Sequence, residues 1–178
     1  MMTRSFALAA IAAFVLLPTP AMAQMSPNPA MDAIKAQFGM AKNPVTRTAA
    51  KVPEELYSFK PTPEVRSLGQ LIGHIADANF SICGAAGGEQ PPSVSIEKTK
   101  TSKADLSQAL ADSFAFCDKV IAAMDDKKGM EVIKFFTGPT PRMMVLAFNN
   151  SHNNEHYGNL VTYMRLKGIV PPSSEPAK

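Results

Sequence analysis

Apolar residues recur at helical spacing in three stretches of the chain, and start and stop signals mark a fourth helix. Met31, Ile34, Phe38 and Ala41 follow one another at steps of 3 or 4, which predicts one face of a helix from Ala30 to about Ala50. Pro44 lies inside that stretch. Because proline lacks an N–H and crowds the preceding turn, a kink or the end of the helix's first part is expected there. A second stripe, Leu68, Leu71, Ile72, Ile75, Ala78, Ile82 and Cys83, predicts a helix from about Ser67 to Cys83. The third is the most regular: Leu106, Leu110, Phe114, Cys117, Ile121 and Met124. It opens on Ser102-Lys103-Ala104-Asp105, which resembles a capping box with Asp in place of Glu. The fourth helix is expected to take Thr140 as its N-cap and Pro141 at its first position. It runs to about Lys167, where Gly168 supplies a stop. At 1.5 Å per residue it would be roughly 40 Å long.

The stretches between are rich in turn residues. Pro53, Pro61 and Pro63 make a connector. Gly84 to Thr101 contains Gly87-Gly88 and Pro91-Pro92 and reads as a long loop. Such a loop can run the length of a bundle and leave the second and third helices parallel. Val132 to Phe136 reads as an extended run with no evident partner strand, so no sheet is expected. The pattern predicts an all-α fold, a four-helix bundle with a long crossover between its second and third helices. It gives no sign of a parallel sheet or a glycine-rich nucleotide loop.

The first 23 residues belong to a different class. A basic Arg4, an apolar run from Phe6 to Leu17, then Pro18, Pro20 and Ala21-Met22-Ala23 have the layout of a secretory signal peptide, with cleavage expected before Gln24. About twelve apolar residues are too few for a membrane span. The expected product is residues 24–178, one helical domain, soluble, exported and most simply periplasmic, with no stable membrane anchor. Without Arg4 there are 17 basic residues against 15 acidic ones, too small an excess to point to nucleic acid.

Cys83 and Cys117 both lie on apolar stripes. If the two helices run parallel with aligned starts, the sulfurs stand at the same height; if antiparallel, they are roughly 20 Å apart. A disulfide would therefore support the crossover, and two buried thiols acting as small apolar residues remain the alternative.

The chemistry concentrates in the three histidines. His152 and His156, within His152-Asn153-Asn154-Glu155-His156, are four residues apart and share a helix face. His74 falls at the border of the second helix's apolar stripe, positioned to look into an interhelical groove. Three imidazoles can hold a divalent metal and leave positions open for water or substrate. Val145, Phe148, Asn149, Asn159 and Tyr163 fall within about 60° of His152 by helical rotation, a mixed face suited to a pocket. The same five residues fit H-x-x-E-H, the inverted zinc-protease pattern with the glutamate as general base. That reading needs an acidic ligand well downstream, and the sole acid after His156 is Glu175 in the tail. Glu155 remains a candidate catalytic base or a partner to a ligand, against the alternative of a solvated glutamate.

Two segments carry a family resemblance. Ser67-Leu68-Gly69-Gln70-Leu71-Ile72-Gly73-His74-Ile75-Ala76-Asp77-Ala78 and Asn149-Asn150-Ser151-His152-Asn153-Asn154-Glu155-His156-Tyr157-Gly158-Asn159-Leu160 resemble the DinB-like metal-binding bundles. The likeness extends over essentially the whole chain after residue 23. It implies a bundle with a long crossover after the second helix, a divalent metal on His74, His152 and His156 (Zn, Ni or Fe), and in many relatives a homodimer. Some relatives are thiol-dependent S-transferases or isomerases and many have no assigned reaction; if the protein is an enzyme, a metal that lowers the pKa of bound water or thiol would suit hydrolysis or thiol transfer on a small-molecule substrate. Asn149, Tyr157 and Tyr163 are further candidates for orienting groups. The alternatives are a non-catalytic metal-binding or stress-related bundle, and an interaction module with an apolar patch away from the histidines.

Overall fold

The computed structural model describes residues 26–90, 92 and 95–176; the expected signal peptide lies outside them. Among the described residues six α-helices follow in order: α1 (Pro29–Lys51), α2 (Leu68–Gly87), α3 (Ile96–Thr99), α4 (Lys103–Ala122), α5 (Asp126–Gly129) and α6 (Arg142–Leu166). A two-stranded antiparallel hairpin, β1 (Val132–Phe135) and β2 (Gly138–Pro141), stands between α5 and α6. The four long helices form the bundle. None of the described helices is long and apolar enough to cross a membrane.

The helix starts follow from local chemistry. At α2, Ser67 Oγ accepts from the Gln70 amide at 3.1 Å and the Gln70 side chain accepts from the Ser67 amide at 2.9 Å, a complete capping box. At α4 only half of that arrangement forms, Ser102 Oγ accepting from the Asp105 amide at 3.1 Å. Gly168 closes α6 in the left-handed region, with φ +71°, and the Ile169 amide returns to the Met164 carbonyl at 2.9 Å.

Helices α2 and α4 run parallel, because their matching positions meet in order. Gly69 lies against Leu106, Asn79 donates to Ser113 at 3.3 Å, and Gly87 lies against Val120. Cys83 and Cys117 form a disulfide between them, with Cα atoms 5.3 Å apart. Phe38 and Phe114 meet edge to face at 5.7 Å inside the core, with Ile72, Ile75, Leu110, Leu146, Leu160 and Met164 fully buried around them. Helix α6 differs from the others in burying Asn149, Asn150, Asn153 and His156.

Three expectations are corrected, and at Pro44 one of the two expected outcomes is excluded: helix α1 passes through it without ending. The carbonyl that loses its donor there is that of Met40, a residue 75% exposed, so water can take the donor's place while Phe38, Ala41, Val45 and Ala49 stay buried. Val132–Phe135 does have a strand partner, and Thr140 is part of that partner. The N-cap of α6 is therefore Pro141, without a side-chain cap, and the Arg142 amide is taken instead by the Glu131 carbonyl at 3.0 Å. The segment read as loop from Gly84 to Thr101 holds the last turn of α2 and the single turn α3.

Candidate metal centre

Helix α2 contributes His74, and α6 contributes His152 and His156. One ring nitrogen of each lies within 4.8 Å of the others. The Nε2 atoms of His152 and His156 are 3.1 Å apart. Two imidazole nitrogens on one ion, at metal–nitrogen distances near 2.0–2.1 Å, stand about 2.8–3.4 Å apart in octahedral or tetrahedral geometry. The spacing therefore fits a shared cation. The His74 ring is 5.1 Å from that of His152 and 4.7 Å from that of His156, so the three are positioned to hold a metal ion.

What sequence reading missed is Glu97. Its Oε2 lies 3.2 Å from His74 Nδ1, and its Oε1 accepts from Arg66 Nε at 2.8 Å. With the Nδ1 proton held by this carboxylate, His74 keeps Nε2 as its free donor atom. Two features of α2 bring Glu97 there. Both carboxylate oxygens of Asp77 accept backbone bonds from α3, from the Ile96 amide at 2.8 Å and the Glu97 amide at 2.9 Å. And Gly73 has no side chain to hold α3 away: a Cβ at that position would stand 2.8 Å from the Cα of Glu97. The residue before His74 is thus glycine because the backbone of α3 crosses directly over it.

The α6 side is built from amides. Asn159 Nδ2 lies 3.3 Å from His156 Nδ1. Beneath His152, Asn79 Oδ1 accepts from Asn149 Nδ2 and from Asn153 Nδ2, each at 3.0 Å. His152 Nδ1 is itself buried without a partner. A cleft of about 760 Å³ opens on the His156 side, bordered by Arg66, Gln70, Glu97, Asn159 and Tyr163. The other candidates stand further off. Glu155 is exposed and is no part of the histidine cluster, although its charge favours protonation of His152. Tyr157 pairs with Ser173 at 2.9 Å. Tyr163 donates to the Arg66 carbonyl at 2.8 Å and so ties the cleft's rim to α6.

Burial pushes His152 and His156 from 6.5 down to about 4, helped at His152 by His156 and His74 and at His156 by His74 and Arg66. Both rings are therefore neutral at pH 7 and available as ligands. In the unfolded chain they titrate near 6.5. Between those values the unfolded state binds more protons, so metal-free protein is expected to lose stability as pH falls from 6.5 toward 4. Urea melts across that range are expected to show a shallower fall for the variant His152→Gln/His156→Gln. Equal slopes would remove these two rings as the cause.

Residues 37–160 match the DinB superfamily. The fold is similar to that of a DinB-like protein from Bacillus cereus ATCC 10987, with a TM-score of 0.69 and 19% identity, covering 79% of this chain and 95% of that one. A DinB-like protein from Bacillus subtilis is similar at a TM-score of 0.66 and 20% identity, covering 82% of this chain and 99% of that one. No curated protein matches the chain significantly.

Proposed function

The chain belongs to the DinB superfamily, and from that premise we propose that His74, His152 and His156 hold a divalent metal ion, Zn, Ni or Fe, at a catalytic centre. The observation that carries this reading is the convergence of three ring nitrogens within 4.8 Å of one another from two helices. Bound there, the ion would act as a Lewis acid and supply a nucleophile near neutral pH, which suits hydrolysis or thiol transfer. The chain's own groups prepare the site. Glu97 keeps the proton on Nδ1 of His74, burial keeps His152 and His156 uncharged, and Asn159 orients His156. For His156 to offer Nε2, its Nδ1 must carry the proton, which requires the Asn159 amide to turn over so that its oxygen replaces Nδ2 at 3.3 Å from the ring. Three protein ligands and an adjoining cleft favour a centre with open positions over a closed structural one.

Purified protein is expected to carry about one metal ion per chain by elemental analysis. A metal-free preparation showing no thermal shift with Zn²⁺, Ni²⁺ or Fe²⁺ would sink the reading. Glu97→Gln keeps the side chain's size and removes its charge. It is expected to weaken Zn²⁺ binding about 10–100-fold in chelator competition, with little change in the melting temperature of the metal-free protein. Unchanged affinity would deny Glu97 a positioning role.

Export belongs to the same proposal. The Cys83–Cys117 disulfide supports it, since such bonds persist in oxidising compartments. Protein recovered from the cell envelope should begin at Gln24 in terminal sequencing; an intact Met1 in that fraction would count against cleavage.

A further inference from the structure

Two exposed phenylalanines, Phe136 and Phe148, and the half-buried Phe135 stand beside the histidines. Phe136 is 71% exposed and Phe148 41% exposed. With Phe135 they form a cluster of ring contacts, at centroid distances of 4.2, 5.8 and 5.5 Å. Phe136 is also out of place by its backbone. It is the first of two turn residues joining Phe135 to its partner Gly138, and its φ is +48°. Two-residue hairpin turns that put this position in the left-handed region are ordinarily made with glycine or asparagine, and a bulky residue there is strained. The hairpin thus carries an aromatic ring to solvent at a position where the backbone favours glycine or asparagine over a bulky side chain. Strain of this kind clusters at ligand contacts.

The cluster is continuous with the metal centre. Phe148 precedes His152 by one helical turn, and the two rings are 6.3 Å apart. Further along the same face of α6, beyond His156, Asn159 and Tyr163 border the cleft that holds Arg66 and Lys60. Along this one helix the order is aromatic surface, imidazoles, and a polar cleft in which Lys60 and Arg66 stand with Glu64 and Glu97, so that any excess of positive charge would come from a bound dication. Charge completes the picture. Three imidazole ligands bring no negative charge to a dication, and Glu97, the carboxylate that touches the cluster, is shared with Arg66. A loaded site is therefore net positive and complementary to an anion.

We infer that the site takes a flat apolar acid, its anionic group at the histidines and Arg66 and its ring on Phe136 and Phe148. This rests on the metal reading above and adds the substrate class. The test uses 2-naphthoate, with acetate as the anion lacking a ring, on zinc-loaded protein. The chain has no tryptophan, so naphthoate fluorescence is read without interference from indole. Naphthoate is expected to bind at least tenfold tighter than acetate. Phe136→Gly and Phe148→Ala should each weaken naphthoate by about tenfold and leave acetate unchanged. Phe136→Gly relieves the left-handed strain, so its melting temperature should be equal or higher, which separates lost binding from lost folding. Zinc bound with naphthoate no tighter than acetate overturns the inference while the metal reading stands. Zinc absent with naphthoate binding still dependent on both phenylalanines overturns the metal reading and upholds the aromatic subsite. If Phe136→Gly instead converts a dimer to a monomer in sedimentation, with naphthoate affinity unchanged, the rings belong to an interface between copies and the inference fails.

Discussion

Replacing His152 with alanine is expected to lower Zn²⁺ affinity by roughly a hundredfold to a thousandfold, if a four-ligand zinc site worth about 10–16 kcal/mol divides evenly among its ligands. His152 is one of the two candidate ligands on α6, with its Nε2 3.1 Å from that of His156 and its ring 5.1 Å from that of His74 on α2. Without it the two remaining imidazoles cannot close a three-sided site. Zinc at about one hundred times its dissociation constant should stabilise the intact protein by ~2.7 kcal/mol, or about 5–10 °C in melting temperature for a domain of this size. That shift should vanish in the variant. The metal-free protein is expected to respond in the opposite sense under acid. His152 is a group whose protonation is opposed by burial and by its two neighbours, so its removal should lessen the loss of stability on going from pH 7 to pH 5. Chelator competition and paired melts with and without zinc check both halves. Near-native zinc affinity in the variant would take His152 out of the site.

The parts of this centre differ in how plainly the sequence announces them, and the difference has physical causes. His152 and His156 are adjacent on any helix, and His74 lies at the edge of an apolar stripe, so all three follow from periodicity. Glu97 does not. It sits on a single turn, Ile96–Thr99, too short to generate a periodic signal, and reaches His74 only through tertiary contacts with Asp77 and Gly73. The signals that could have pointed to it are a glycine beside a candidate ligand and a carboxylate one turn further along α2. The hairpin escaped for another reason. Its second strand contains Pro139 and Pro141, which strand propensity rejects. In a two-stranded ladder, prolines two apart turn their missing N–H groups to the same open edge, and Thr140 is left facing Ile133 in the register. Phe136 and Phe148 then become neighbours across the hairpin and α6, a contact no spacing along the chain encodes. The helical bundle itself was legible because α2 and α4 carry long regular stripes. Helix α6 was read through its histidines and its stop signal, since its inner face is half amide.

Removing the Cys83–Cys117 bond should be the most costly change to the fold. The two cysteines are 34 residues apart and join the parallel helices α2 and α4 across the long crossover. Closing a loop of that length removes unfolded-state entropy worth about 4 kcal/mol, a fall of roughly 8–16 °C in melting temperature for a domain of this size if the bond is absent. The loss should reach the site as well. Asn79, one turn before Cys83, accepts from both Asn149 and Asn153 of α6, and Asn149 Nδ2 lies 3.6 Å from Cys83 Sγ. The bond therefore fixes the ground on which His152 stands. Urea melts of Cys83→Ala/Cys117→Ala beside the oxidised protein measure the stability term, and zinc affinity measured on the same pair reads the effect on the site. Coincident melts would mean that loop closure contributes nothing. Both sulfurs are fully buried, so reductant should act on the native protein only as fast as it unfolds. Chain produced in a reducing cytoplasm should accordingly show the lower stability and regain the difference on oxidation after purification. That outcome would show that the bond carries the difference in stability; equal stability before and after oxidation would show that it does not.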